Sequence, residues 1–416
     1  MSRSVGLNDR DRTGVNHPGW AWAGFALALA FIVIAAVRGE ARLFTVGMYD
    51  SYAVQAQAWR EGMVRLPGNI PHLELAVFDG EYYVSFPPVP TLPIWLLQWI
   101  MPGGVPSGLL TVAYFLLCYP VAYGICARYV SAAGSAALAS LALAGGSFVD
   151  VAVSGGIYSG GVWYQAQTLG TLLTLCAFHC VLSPVRARRF AGWLAIALAV
   201  GCRPFQGVYI PFMVWLQWDA APHGDRGKLD WFARDVLPCW IAPAITACVM
   251  GWYNWVRFGS PFEFGHNYLP EFSRAGQAQF ALSHIPGNLL RILRPPFVEY
   301  PQEPFGAPFP LSRGFAVYFT QPMLIAASAS LVNRTPNAGD RLLLGSLAVH
   351  LLLLLSHRTF GGWQYGTRYI CDMLPGLLML RLSSRREPGI AERAVLLALA
   401  VCNLVGTIAF HAYSVY

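Results

Sequence analysis

Apolar residues recur in runs separated by short polar intervals from one end of the chain to the other. A helix needs about 20 residues to cross a bilayer. Candidate spans fall at 20–37, 106–127, 134–152, 161–182, 190–218, 236–256, 314–332, 341–356, 368–381 and 391–412. One further segment, Pro88 to Met101, is apolar but short and crowded by Pro87, Pro88, Pro90 and Pro93. It reads as a helix lying along the interface or re-entering. The pattern predicts an all-α polytopic membrane protein, a bundle of about eleven transmembrane helices around one module.

Composition agrees. Hydrophobic residues make up 56% of the 416 positions and charged residues 12%, about half the share of a soluble domain. Too few charges remain to cover a water-facing surface, so lipid covers much of it. The net charge of +7 comes from 28 basic and 21 acidic residues. Because the basic residues sit between apolar runs, the positive-inside rule accounts for them and no nucleic-acid partner is implied. Almost all are arginine, Lys228 being the exception; guanidinium suits bidentate phosphate recognition, and genomic base composition explains the bias equally well. The nine cysteines fall in or beside apolar runs without the spacing of a zinc or disulfide framework, and read as small apolar fillers. The first run follows Arg3, Arg10 and Arg12 and has no Ala-x-Ala cleavage site behind it, as expected of an uncleaved first span.

Sidedness follows from parity. With residues 1–19 as a cytoplasmic tail, 88–101 not crossing, and 190–218 a hairpin of two short helices, every arginine-dense connection lies on one side. These are Arg128; Arg186, Arg188 and Arg189; Arg226, Lys228 and Arg234; Arg334 and Arg341; and Arg381, Arg385, Arg386 and Arg393. That is the positive-inside pattern. The expectation is a module over 20–412, a short tail at 413–416, and an active face outside a bacterial inner (plasma) membrane. The outer side then holds two loops, 38–105 and 257–313, too long to be mere connectors. No internal repeat is evident, which argues against a transporter built from inverted halves.

Candidate chemistry lies on that side. Asp50, in Gly47-Met48-Tyr49-Asp50-Ser51-Tyr52, follows the first span. A carboxylate there suits a general base for an acceptor hydroxyl, and Asp before Ser51 equally suits a helix N-cap. Both readings stand. Arg203-Pro204 interrupts an apolar run; an arginine at membrane depth costs at least about 2.5 kcal/mol and so has a partner, a lipid phosphate or a structural acid. Two exits from the membrane are distinctive: Tyr253-Asn254-Trp255-Val256-Arg257-Phe258-Gly259-Ser260-Pro261 with Glu263 and His266 beyond, and Arg358 through Trp363, Tyr365, Gly366, Arg368 and Tyr369. Aromatics at such exits also form the ordinary interfacial belt. His266, His284, His357 and Asp50 raise the question of a metal, but none has ligand spacing. No cofactor is implied, and a divalent metal is left open. There is no Walker loop, nucleophile elbow or dinucleotide fingerprint.

In order and layout these motifs resemble the GT-C superfamily of multi-pass glycosyltransferases. The likeness rests on Asp50 in a large first outer loop, Phe86-Pro87-Pro88 before an interfacial helix, Tyr253-Asn254-x-x-Arg257-Phe258-Gly259-x-Pro261, and Trp363-x-x-Gly366-x-Arg368-Tyr369. The last two look like bacterial members of unassigned specificity. The resemblance implies transfer of a sugar from a polyprenyl-phosphate donor to a glycan, lipid or protein acceptor. It gives Asp50 the role of base. Arg203, Arg368 and Arg358 become phosphate-binding candidates, since a departing phosphate needs cationic stabilisation. Tyr52, Glu74, Asp79, Glu263, His266 and Tyr369 become substrate-binding candidates. The chain departs from the protein-mannosyltransferase-like pattern, in which an adjacent Asp-Glu pair is expected. Here Ser51 follows Asp50, so Glu74, Asp79 or Glu81 would supply a second carboxylate. Two other readings compete: a polysaccharide polymerase or ligase relying on loop 257–313, and a lipid or solute transporter, which needs polar residues along a midplane path.

Overall fold

A computed structural model describes residues 18–157, 161–220, 227–273, 278–295, 314–362 and 364–414. Trp363, Arg226, the arginines at 3, 10 and 12, and the stretches 296–313 and 415–416 lie outside the described residues. The chain opens with α1 (Pro18–Arg38) and α2 (Ser51–Arg60). A hairpin of β1 (Leu75–Phe78) and β2 (Glu81–Val84) and the seven-residue α3 (Thr91–Leu97) follow. Next come α4 (Ser107–Cys126), α5 (Ala132–Ala144), α6 (Phe148–Ile157), α7 (Val162–Val181) and α8 (Arg186–Val200). A 3₁₀ turn at Pro204–Tyr209 leads into α9 (Ile210–Ala220), α10 (Lys228–Trp231) and α11 (Ile241–Phe258). The second long loop carries α12 (Pro270–Ser273) and α13 (His284–Ile292). After it come α14 (Val317–Thr320), α15 (Pro322–Ala329), α16 (Ala338–Ser356), a 3₁₀ turn at Arg368–Met373, α17 (Leu374–Leu382) and α18 (Ile390–Ser414).

Among the described residues, five helical stretches are long and apolar enough to cross a membrane: Pro18–Arg38, Ser107–Cys126, Lys228–Phe258, Ala338–Ser356 and Ile390–Ala412. There are six if α5 and α6 are one broken span. The expected count of about eleven is therefore not reached by straight apolar helices. The expected straight span 134–152 is two helices bent by 57°, broken at Gly145-Gly146, where backbone freedom makes a helix weakest. The run 190–218 turns back at Arg203-Pro204, and 314–332 is split by Pro322, whose ring cannot continue α14. α7 has the length of a span but turns Gln165, Gln167, Thr168, Thr171 and Thr174 inward, all buried. A polar set of this kind is tolerated at membrane depth only when it is bonded inside the bundle.

Not everything is helical. Residues 75–84 pair as an antiparallel hairpin with Leu75 opposite Val84. The hairpin, α2 and α3 share a small apolar core of Tyr52, Ala56, Leu66, Leu75, Val84 and Ile94, seated on Val162 and Ala166 at the start of α7. The first long loop is thus a folded cap. α11 holds it, because Gln55 Nε2 and Trp59 Nε1 both donate to the Tyr253 hydroxyl at 2.9 and 3.1 Å. Arg257 Nη1 donates to the Val84 carbonyl at 2.8 Å and Nη2 to Asn254 Oδ1 at 2.7 Å. The arginine-bearing turns gather at the other end of α4 and α7. There Arg128 donates to the Leu182 carbonyl, Arg385 lies over Tyr129, and Arg189 pairs with Asp235.

Candidate functional site

The first turns of α7 organise the end of the bundle beneath the cap. Trp163 Nε1 donates to Glu74 Oε2 at 3.1 Å, and Gln165 Nε2 donates to Asp50 Oδ1 at 3.1 Å. Gln167 Nε2 donates to Asp372 Oδ1 at 2.8 Å and to the Arg368 carbonyl at 2.6 Å. The Arg368 guanidinium lies over the Tyr164 ring, 5.4 Å from its centroid. Three carboxylates and an arginine from distant parts of the sequence are thereby fixed by one stretch, 163–167. Asp50 and Arg368 are tied to the same end of the same helix.

Asp50 is the N-cap of α2, its Oδ1 accepting from the Ala53 amide at 3.1 Å. The cap and Gln165 use the same oxygen. Oδ2 makes no hydrogen bond of normal geometry among the described residues, although the Ser107 hydroxyl and Tyr52 amide lie near the carboxyl, and the residue is 2% exposed. Burial pushes the carboxyl up to about 6, against the opposing polar hydrogens of Ser107, Ala53, Gln165 and Tyr52. An isolated Asp has a value near 3.9, so the site brings this group close to the working pH of a general base. Tyr52, fully buried beside it, has a hydroxyl without a partner among the described residues.

Two arginines flank one ring. The Arg203 Cζ lies 5.2 Å from the Tyr369 centroid and the Arg368 Cζ 4.9 Å from it. Arg203 is paired, its Nε and Nη2 both reaching Asp372 Oδ2 at 2.8 and 2.7 Å. Asp372 is 1% exposed. Its backbone carbonyl accepts from Gln206 Nε2 at 3.0 Å, and Gln206 in turn accepts from Thr174. Of the two partners offered by the sequence, the structural acid is present. Arg368 is buried too, yet its Nε and Nη1 have no partner among the described residues.

A cavity of about 370 Å³ opens beside this group. Arg203, Asp372 and Tyr369 form its inner wall, and Phe86, Pro87, Glu263, His266, Phe280 and His357 line the rest. The imidazoles of His266 and His357 lie 5.4 Å apart by centroid. Burial depresses them to about 3 and about 4, so both are neutral at physiological pH and offer hydrogen bonds without charge. His266 Nε2 is buried and has no partner among the described residues. Glu263 accepts from the Gly265 amide and Asn267 at 2.7 and 3.2 Å. Arg358 lies over Phe272 at 3.7 Å and donates to the His266 carbonyl at 3.2 Å, behind the wall.

The structure thus brings Arg203, Tyr369, Glu263 and His266 to one cavity; Asp50, with Tyr52 next to it, Arg368 and Glu74 do not line it but are tied to the start of α7, and Glu74 opens on a separate cavity with Glu271. Glu74 stands apart from Asp79 and Glu81. Its carboxyl is raised by burial and by the neighbouring Glu271, with the Trp163 hydrogen bond and Arg368 opposing. Asp79 is not brought in: it is the exposed turn residue of the hairpin, with φ of 50°. Glu81, beside that turn, pairs with Arg65. Sequence reasoning missed Asp372, Trp163, Gln165 and Gln167. Asp372 carried a signal, as the sole acid in the run 368–381, because an ionisable residue within a span is functional by default. No group of three or more metal-ligating side chains converges among the described residues.

No protein-family model matches the chain, and no curated protein matches it. Among solved structures, the fold is similar to the archaeal oligosaccharyltransferase AglB from Archaeoglobus fulgidus, determined with an inhibitory peptide and a dolichol-phosphate. The match has 14% identity and a TM-score of 0.52, over 95% of this chain and 56% of that one. ArnT from Cupriavidus metallidurans bound to undecaprenyl phosphate aligns at 14% identity and a TM-score of 0.49, over 93% of this chain and 64% of its own. The chain therefore spans somewhat over half the length of these neighbours. At this identity the likeness to AglB shows the fold.

Proposed function

We propose that the chain transfers a sugar from a polyprenyl-phosphate donor to an acceptor hydroxyl at the extracytoplasmic face of the membrane. One observation carries this reading: among the described residues, several buried side-chain atoms without partners lie at and beside the cavity. Asp50 Oδ2, the Tyr52 hydroxyl, His266 Nε2 and Arg368 Nε and Nη1 all belong to this set. A native interior rarely leaves such atoms unsatisfied, and a cluster of them points to a ligand.

In this reading Arg368 and Arg203 hold the donor phosphate on either side of Tyr369, with Arg358 as a more distant cation. The sugar occupies the aromatic-lined cavity, its hydroxyls meeting His266 and Glu263. Asp50 takes the acceptor proton, with Tyr52 beside it, while Glu74 supplies the second carboxylate. The acceptor oxygen forms its bond to the anomeric carbon, the carbon–oxygen bond to phosphate breaks, and the electron pair stays on the lipid phosphate. Arginines stabilise that charge where it develops.

The test is transfer from a panel of radiolabelled polyprenyl-phosphate sugars by the purified chain, beside Asp50→Asn. Loss of transfer by at least about 100-fold in the variant, in the range of general-base contributions, is the expected result. Full transfer by the variant would remove Asp50 from the chemistry. It would favour the polymerase or ligase reading, which relies on the second outer loop.

A further inference from the structure

Arg203 and Arg368 face the same ring, but only one of them carries its own acid. Asp372 is anchored at both oxygens: Oδ1 by Gln167, Oδ2 by two nitrogens of Arg203. It lies on the cavity wall with Arg203 and Tyr369. A buried carboxylate so placed could be mere ballast for a buried arginine. If the site takes a polyprenyl-phosphate sugar, the donor chemistry gives this acid a second consequence.

A polyprenyl-phosphate sugar is a phosphodiester with one negative charge. Breaking the sugar–oxygen bond leaves that oxygen and its electron pair on phosphorus, so the product is a phosphomonoester. Its charge at neutral pH is −1.5 to −2. Two uncompensated arginines would hold this product more tightly than the donor, and turnover would stall on release. With Asp372 ionised, the three side chains sum to +1, which matches the donor and leaves the product over-charged for its site. Glu74 acts on Arg368 through space, and no ion pair joins them among the described residues.

We infer that Asp372 is a specificity determinant, an internal counter-ion that biases the phosphate site toward the monoanionic donor and against its own dianionic product. It acts through Arg203, and the inference rests on the proposed donor. Neutralising Asp372 should tighten binding of phosphomonoesters selectively.

The experiment measures binding of two soluble probes, farnesyl phosphate and its methyl diester, to the full chain in detergent at neutral pH. Wild type, Asp372→Asn and Asp372→Glu are compared, with thermal unfolding as a check on folding. Asp372→Asn should bind the monoester about tenfold more tightly, a difference of about 1.4 kcal/mol, and the diester at most about threefold more tightly. Asp372→Glu should keep the wild-type ratio. An unchanged ratio in Asp372→Asn, or weaker binding of both probes, overturns the inference while leaving the donor reading intact. Wild type that binds neither probe overturns the donor reading and this inference with it. Should Asp372→Asn fail to fold, phosphorus NMR of farnesyl phosphate bound to wild type decides. The second ionisation of the bound phosphate should stay within about half a unit of its free value near 6, and a larger fall refutes the counter-ion.

Discussion

Asp50→Asn should make the protein more stable at neutral pH while removing its proposed chemistry. The native carboxyl is held near 6 by burial, against a reference of 3.8. A group whose folded value is raised favours folding in its protonated form. That contribution is fully present below the reference value and is lost as pH rises through the folded one. Between about 4 and 6 the folded state therefore gives up stability, about 3 kcal/mol in all at 1.36 kcal/mol per unit. Asparagine has no such charge to bury. It is also as good an N-cap as aspartate, so the bond from the Ala53 amide survives, and Oδ1 can still accept from Gln165. A net gain of about 1–3 kcal/mol at pH 7.5 remains after allowing for imperfect replacement of Oδ2. Scanning fluorimetry in detergent from pH 4 to 8 provides the assay. The variant's Tm should match wild type near pH 4 and rise above it through pH 6. A constant difference across that range, or a lower Tm at pH 7.5, would refute the claim that Asp50 is ionised at a desolvation cost.

Other consequences are simpler. Gln165→Leu removes a hydrogen bond to a charged acceptor, worth about 1.5–3 kcal/mol, so the acid limb of the transfer pH profile should move up by about one to two units; an unmoved limb would show that Gln165 does not tune Asp50. Gly366 has φ of 72°, and a Cβ there would lie 2.7 Å from Thr320 Cβ. Gly366→Ala should therefore cost about 1–3 kcal/mol and displace Arg368 two residues on, read as weaker farnesyl-phosphate binding. Arg381 is 3% exposed and paired with Glu392 at 2.6 and 2.8 Å. Glu392→Ala should destabilise by about 3–5 kcal/mol, seen as lost yield and a lower Tm, with the affinity of the surviving protein for farnesyl phosphate unchanged.

Charge and periodicity carried the legible part of the sequence. Arg203 was legible because a charge inside an apolar run is costly, Arg368 because it stands in a distinctive exit from the membrane, and Asp50 because it stands at the mouth of a span. The cap over 38–105 was legible only as a long loop, since its hairpin spans four residues a side and gains its core from α7. Gln165 and Gln167 were invisible. Glutamine carries no charge penalty large enough to stand out in an apolar run, and its role exists only when residues 50 and 372 arrive beside it. The helix breaks at Gly145-Gly146 and Gln321-Pro322 were blurred for a related reason: hydropathy persists across them while the helical backbone is interrupted.

The clamp at Arg257 carries a lesson for engineering. Its guanidinium is sandwiched 4.2 Å from Tyr253 and 4.6 Å from Phe258 while it grips the Val84 carbonyl, so the lobe over 38–105 and α11 behave as key and lock. Grafting residues 38–105 onto a related scaffold would deliver the key without its lock. A working chimera must carry 253–258 along with the lobe, and grafts of either piece alone should assemble poorly even when every substrate-facing side chain is retained.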